Sequence, residues 1–305
     1  MTCRQAMGAT MPSKAPPLPS HWRTNPAGQV RRFRQAAARV KRHMRGVREW
    51  LLAEIDDIPV DVIEVNADSR RYHVNERVYQ YQISVPELRR IISELQRRIG
   101  EVPDRAVVDA AVQAYQEGTG LAVESLRGLS DQYNRELVAV LRSEPWLRRV
   151  AIMESRIFEA MEGFQGDTGR DLARVLSQAV ETGQNPMDLK KTLRQRFRVS
   201  DTRAERIART EITSAYRRGR LDEAEDARER LGIRTMMMHM SALAETTRPE
   251  HAARHGNLYT PQEARDWWAS GSESINCRCS AVEVLVDDDG NPTTPALVER
   301  VRDMR

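Results

Sequence analysis

Three short motifs in the last third of the chain constrain its fold more than any other feature. They are residues 208–211 (ARTE), 247–251 (TRPEH) and 276–279 (NCRC). The first lies in a basic stretch with helical character. The second follows a β-prone run at 233–240, and the third opens another at 280–286. A helix followed by two short strands predicts a small α+β unit on the C-terminal side.

The chain before this unit has the pattern of packed helices. Apolar residues recur from Val30 to Leu51 in steps of three and four, which places them along one face of a helix. Further helices are predicted over 86–100, 103–115, 121–141, 146–164, 171–181 and 187–197, and a loop is predicted at Gly163, Gly166 and Gly169. Ser200 or Asp201 is the predicted N-cap of the helix that carries the ARTE motif.

These patterns predict a fold that is mainly α, with an elongated helical body and a small α+β C-terminal unit. The predicted organisation has four parts. They are a basic disordered tail (1–28), the helical body (29–182), an α+β domain (183–286), whose bounds rest on the family resemblance described below, and a C-terminal tail (287–305). Short strands are expected within 60–65 and 78–85, the second of which also fits a helix.

Charge is distributed unevenly along the chain. The net charge is +4, but the first 48 residues contain eleven Lys or Arg side chains and no Asp or Glu. Such polarity is typical of a segment that binds a polyanion or an acidic protein surface. Aromatic residues make up only 5% of the chain, which argues against a base-stacking surface for single strands.

Two interpretations of the first predicted helix remain open. Its charged face is either a solvated face of a helical bundle or a surface that contacts DNA. The DNA interpretation predicts contact with phosphates and no choice of base sequence, because no base-reading motif is present. The candidate residues are Arg31, Arg32, Arg34, Arg39, Lys41, Arg42, Arg45 and Arg48.

The histidines and cysteines near the end of the chain form a candidate metal site. His251 and His255 are four residues apart, and Cys277 and Cys279 are two apart, so each pair can face one way. Two imidazoles and two thiolates suit a structural zinc ion. The alternative is a metal-free core in which the thiols are simply buried. No other cofactor is expected.

No run of about 18 apolar residues is present, so no membrane span or membrane partner is expected. The first twenty residues lack the apolar core of a secretory signal. Three cysteines cannot build a disulfide framework, and a reducing compartment is expected.

The three motifs, in this order and spacing, resemble the phage head morphogenesis family, the Mu F-like minor head proteins. The resemblance covers residues 183–286 and rests on the run 203–211 (RAERIARTE), on TRPEH with Gly256, and on NCRC. The motif residues are Arg209, Thr210, Glu211, Thr247, Arg248, His251, Asn276, Cys277, Arg278 and Cys279.

The resemblance implies a non-enzymatic minor head (capsid) protein of a tailed bacteriophage. Such a protein is made in the bacterial host cytoplasm and lies in the virion, at the portal or the inner surface of the head. It takes part in head assembly and in genome packaging or delivery. The implied partners are the portal protein, other head proteins and double-stranded DNA, bound non-specifically. The alternative is a metal-dependent hydrolase or toxin-like domain at the C-terminus.

Overall fold

The computed structural model describes residues 25–69 and 72–304 of the 305-residue chain, and only the backbone of the strand residues within 64–77. Of the predicted tail at 1–28, residues 1–24 lie outside the described residues. The fold is mainly α with a small α+β portion, as the sequence predicts. The chain forms two compact units, each built from separate segments. Unit 1 contains 25–31, 111–151 and 209–304 of the described residues, and unit 2 contains 32–110 and 152–208.

The helices and strands follow one another in this order: α1 (Val30–Asp56), β1 (Val60–Ser69), β2 (Tyr72–Tyr81), α2 (Val85–Gly100), α3 (Arg105–Leu129), α4 (Leu137–Leu141), α5 (Glu144–Thr182), α6 (Pro186–Leu231), β3 (Thr235–Met240), α7 (Pro249–Ala253), β4 (Leu258–Tyr259), α8 (Pro261–Ala269), β5 (Ser280–Leu285) and α9 (Pro295–Arg302). None of the helices in this described part of the chain is long and apolar enough to cross a membrane.

In unit 2 the apolar spacing of α1 predicts the buried face correctly. Six of the seven residues in the predicted seam are buried: Phe33, Ala37, Val40, Met44, Val47 and Leu51. The seventh, Val30, is half-buried at the start of the helix. Leu95 and Ile99 of α2 belong to the same kind of core. The hairpin β1–β2 is antiparallel, with Val60 opposite Tyr81. The strand expected at 60–65 is present and extends to Ser69. Of the second expected segment, 78–85, only residues 78–81 are strand, because β2 begins earlier, at Tyr72, and ends at Tyr81.

Several predicted helix bounds are wrong. The helices expected over 103–115 and 121–141 are instead α3, which continues through 116–120 to Leu129, and the short α4. The loop expected at the three glycines does not form, because α5 continues through 163–169. Gly169 lies where α5 meets α2, and a Cβ there would lie 3.7 Å from Gln96 Cγ. The cap predicted at Ser200 or Asp201 is also wrong, because α6 continues through both residues. Inside the helix, Ser200 Oγ donates a hydrogen bond to the Arg196 carbonyl, 3.1 Å away.

Unit 1 contains the three-stranded antiparallel sheet, in the order β4–β3–β5. Side chains alternate across it with the period of two that strands impose. On one face Met237 packs with Ala264 and Trp268 of α8, and with Leu221 of α6. The opposite face packs against α9 through Met238, Met240, Val282, Val284, Leu297, Val298 and Val301. Residues 287–305 are therefore not simply a tail, since they contain a helix that closes this core.

Helices α3 and α6 approach each other closely in unit 1. A Cβ at Gly118 would lie 2.1 Å from the Tyr216 carbonyl oxygen, and one at Gly219 would lie 2.3 Å from the Tyr115 carbonyl oxygen. Neither distance is possible for a real side chain. The two glycines therefore allow a backbone approach that alanine would prevent.

The interior of unit 1 also holds charged groups. Arg220 of α6 pairs through two guanidinium nitrogens with both oxygens of Glu283 on β5, and both side chains are buried. Burial opposes the charged form of Arg220, but Glu283 and Tyr216 outweigh it and raise the pKa. Tyr115 donates a 2.5 Å hydrogen bond to Asp222. The sheet is thus joined to α6 by a buried, bidentate ion pair.

Candidate functional site

The ARTE and NCRC motifs meet at Asn276. Arg209 Nη1 donates a 2.6 Å hydrogen bond to Asn276 Oδ1, and the Asn276 backbone N–H donates to Thr210 Oγ1 at 2.9 Å. Asn276 has a φ of +57°, in the left-handed region that asparagine tolerates better than most residues. The turn before β5 is thereby attached to the middle of α6. Glu211 is half-buried on the same helix.

The TRPEH motif holds the loop that leads into NCRC. Arg248 donates two hydrogen bonds of 2.9 Å, one to the Ser272 carbonyl and one to the Glu273 carbonyl. Thr247 Oγ1 accepts a 2.9 Å hydrogen bond from the Ala244 N–H and closes the turn before α7. Planar Arg248 can reach two successive carbonyls because its donors form a rigid fork.

His251 lies at the centre of the three motifs. It is 2% exposed, and its Nδ1 lies 3.4 Å from the sulfur of Cys277 and 3.4 Å from that of Cys279. On the other side of the ring, Nε2 lies 2.8 Å from Glu273 Oε2, at an angle outside hydrogen-bond limits. The motifs that are far apart in sequence therefore form one compact cluster.

The two thiols of the cluster are in different electrostatic situations. A hydrogen bond from the Cys279 thiol lowers the pKa of Cys277; burial opposes this shift, and Arg217 and His251 reinforce it. The same contact and burial raise the pKa of Cys279. Arg217 also donates a 3.2 Å hydrogen bond to the Cys279 carbonyl, and it lies 4.6 Å above the Trp268 ring. Both cysteines are free and buried.

His239 of β3 joins this cluster. Ligating atoms of His239, His251 and Cys279 all lie within 4.8 Å of one another. The imidazole of His239 stacks on Trp268 at 5.2 Å between ring centres, and it meets the Trp267 ring edge-on at 5.2 Å. Burial lowers the pKa of His239 well below its ordinary value, so the ring is neutral at neutral pH.

A small pocket of about 100 Å³ opens beside the cluster. Residues of the three motifs and of the loop before α7 line this pocket. They are Arg209, Ala242, Ala244, Thr246, Thr247, Arg248, His251, Asn276, Cys277, Arg278 and Cys279. Arg278 is half-buried at its edge. The pocket is smaller than the clefts of about 300–1,000 Å³ that bind drug-sized ligands.

Residues 170–282 match the family described as phage Mu protein F like protein. The match covers 113 of the 305 residues, and we refer to residues 170–282 as the Mu F-like domain. The match begins in α5 and ends in β5, so it includes all three motifs and every residue of the His251 cluster. The resemblance inferred from the motifs is confirmed. A comparison with curated proteins and another with solved structures gave no match.

Within the Mu F-like domain, the structure brings together some of the predicted metal ligands and not others. Three of the four candidates, His251, Cys277 and Cys279, come together as expected. The fourth, His255, instead accepts a 3.0 Å hydrogen bond at Nδ1 from the Ser241 N–H. His239 occupies the remaining side of the cluster. It was missed because it stands alone in a methionine run, although the strand period does place it on the same face as Met237.

The basic residues of α1 are spread over its outer side. Arg31, Arg34, Arg39, Arg42 and Arg45 are exposed, opposite the buried face. The other three candidates are partly buried: Arg32, Lys41 and Arg48. Lys41 pairs with Glu205 at 2.6 Å, and Arg48 approaches Glu49 at 3.9 Å.

Proposed function

We propose that this chain is a minor head protein of a tailed bacteriophage, associated with the portal or the inner surface of the head. It acts in head assembly and in packaging or delivery of the genome, as a structural component rather than an enzyme. The observation that carries the proposal is the Mu F-like domain, in which the three motifs meet at Asn276 and His251.

The outer side of α1 supports the DNA part of the proposal. Arg31, Arg34, Arg39 and Arg42 have no carboxylate partner among the described residues, so their charges are available to phosphates. From Arg31 to Arg45 the helix rises about 21 Å, long enough to follow several phosphates. The residues before α1 add three basic side chains and no acidic one. Binding of this kind releases counterions and weakens steeply with salt.

The DNA contact can be tested with the full chain and a duplex of random sequence. We expect the triple variant Arg34→Ser, Arg39→Ser, Arg42→Ser to weaken binding at low salt. The slope of log affinity against log salt should also decrease, by roughly 0.9 for each lost phosphate contact. The matched control replaces three exposed arginines elsewhere, Arg89, Arg142 and Arg148, and should retain the slope. Equal loss in both variants would contradict a role specific to α1.

The head association can be tested by co-expression with the portal and coat proteins of a phage that carries this gene. We expect it to co-purify with portal rings or with assembled heads. Arg248→Ala removes both hydrogen bonds to the loop at 272–273 and should reduce co-purification. Separate migration of the wild-type chain from both portal and heads would contradict the proposal.

A further inference from the structure

We propose that His239, His251, Cys277 and Cys279 bind one zinc ion, which holds β3, α7 and the turn before β5 together. The proposal is independent of the head function, because it concerns the stability of the Mu F-like domain alone. It replaces His255 of the sequence-based prediction with His239. The reasons lie in the distances, the surroundings of each imidazole and the burial of the set.

The distances around His251 match those of a zinc site. Zinc lies about 2.3 Å from a thiolate sulfur and about 2.0–2.1 Å from an imidazole nitrogen, in tetrahedral geometry. Those bond lengths separate a sulfur and a nitrogen ligand by about 3.6 Å. Nδ1 of His251 lies 3.4 Å from both sulfur atoms. The distances from His251 to Cys277 and from His251 to Cys279 therefore fit two edges of a tetrahedral zinc site, with the three ligand atoms at its corners.

A carboxylate, that of Glu273, lies beside the ring nitrogen of His251 that zinc would leave free. Histidines that bind a metal through one ring nitrogen almost always donate the other N–H to a carboxylate, a carbonyl or water. Zinc on Nδ1 fixes the proton on Nε2, which lies 2.8 Å from Glu273 Oε2. Arg248, a motif residue, holds the Glu273 backbone in place.

His239 supplies the fourth ligand. Its Nε2 is buried and has no hydrogen-bond partner among the described residues, and the side chain is only 2% exposed. Buried polar atoms are normally satisfied. An unmet nitrogen on an imidazole whose ligating atom lies within 4.8 Å of those of His251 and Cys279 therefore indicates a ligand. His239 and His251 lie against Trp267, which shields the set from water. Four protein ligands leave no open position, as in structural zinc sites.

The wild-type chain provides the first test. The full-length protein, purified without chelators and supplied with zinc, should contain about one zinc per chain by elemental mass spectrometry. X-ray absorption at the zinc edge should show two sulfur and two nitrogen neighbours at roughly 2.3 and 2.0 Å. No stoichiometric zinc, or a first shell dominated by oxygen, would overturn the proposal.

Single variants then identify the ligands. Cys279→Ser and His251→Asn should lose stoichiometric zinc, and His239→Asn should lose it or bind it far more weakly. His255→Asn is the matched control, because His255 is a buried histidine of the same domain, and it should retain zinc. Glu273→Gln keeps the ligands and should weaken affinity on the order of 10–100-fold. Zinc lost from His255→Asn and kept by His239→Asn would overturn the assignment of His239.

Two further measurements separate loss of zinc binding from loss of folding. Cobalt added to the wild type should give the absorption of a tetrahedral site with cobalt–thiolate charge transfer, and zinc should displace it. Circular dichroism of each variant checks that the long helices remain. If folded Cys279→Ser still binds one zinc, the thiolate is not a ligand and the proposal is wrong.

Discussion

The two units of the molecule have cores of different chemistry. In unit 2 the long helices pack through apolar seams, and charged side chains stay at the surface, as in the Arg97–Glu94 pair at 2.7 Å. In unit 1 every buried charged residue of the described chain is found, including Arg220 and Glu283. The part that carries the family motifs is therefore the part with a polar core.

This difference determines how strictly each core restricts the residues that can occupy it. An apolar seam accepts other hydrophobic residues of similar volume, so many sequences satisfy it. A buried ion pair loses its compensation as soon as one partner is changed. This explains why short motifs could identify unit 1, whereas unit 2 could be recognised only by its period.

The largest expected effect is from breaking the buried pair in unit 1. Arg220→Ala leaves Glu283 charged and buried, which should destabilise this unit by about 3–5 kcal/mol. Urea unfolding, with hydrogen exchange of β3 and β5 peptides, measures the loss and locates it. The control Arg97→Ala removes an exposed ion pair and should cost about 0–1 kcal/mol. Similar losses from both variants would remove the contrast between the two cores.

The apolar core of unit 2 should respond to volume rather than to chemistry. Leu95→Ala at a fully buried position should cost about 2–5 kcal/mol. Leu95→Met keeps the volume and should cost less than about 1.5 kcal/mol. Denaturant midpoints with hydrogen exchange of α2 peptides check both values. A loss from Leu95→Met as large as that from Leu95→Ala would mean that the seam is as specific as the polar core.

The close approach of α3 and α6 allows a test within a single helix. Gly118→Ala places a methyl group against the Tyr216 carbonyl and should destabilise unit 1 by about 1–3 kcal/mol. Gly128→Ala in the same helix meets nothing within 4 Å and should stabilise by up to about 1 kcal/mol. Thermal unfolding of the two variants should shift in opposite directions, and shifts of the same sign would contradict the crossing.

The smallest expected effect concerns the capping box of α8. Thr260 accepts from the Glu263 N–H at 3.1 Å, and Glu263 accepts from the Thr260 N–H at 2.8 Å. Thr260→Ala should cost about 1 kcal/mol. Bonds from Thr260 lower the pKa of Glu263 below its ordinary value of 4.5. The stability that the Glu263 carboxylate contributes through these bonds is therefore complete above pH 4.5. It decreases as the pH falls through the lowered pKa that Glu263 has in the folded state.

Hydrogen exchange of α8 peptides measures the local stability of this helix. The difference in this stability between wild type and Thr260→Ala should become smaller in acid. A difference that grows as the pH falls below 4.5 would show that Glu263 is not held as a carboxylate by this cap.

The sequence predicted those parts of the fold that depend on local pattern. The buried face of α1 and strands β3 and β5 follow from the spacing of apolar residues. The continuous course of α5 does not, because glycine lowers helix propensity locally while packing against α2 overrides it. Helix α9 was missed because only the sheet gives its short apolar stripe a place to pack.

The candidate site was predictable only in part for a related reason. His251, Cys277 and Cys279 belong to motifs, so their meeting could be inferred from order and spacing. Whether His239 or His255 completes the cluster depends on strand register and on the Ser241 N–H, which is a tertiary contact. The four-residue spacing of His251 and His255 suggested a shared helical face. In the structure, however, α7 ends at Ala253, before His255.

The proposed head function is tested most directly by quantitative mass spectrometry of purified heads, both empty and DNA-filled, from a phage that carries this gene. The chain should be present in both in a few copies, and it should remain after tails are removed. Absence from both kinds of head, while the protein is abundant in the infected cell, would contradict a head component built on a Mu F-like domain.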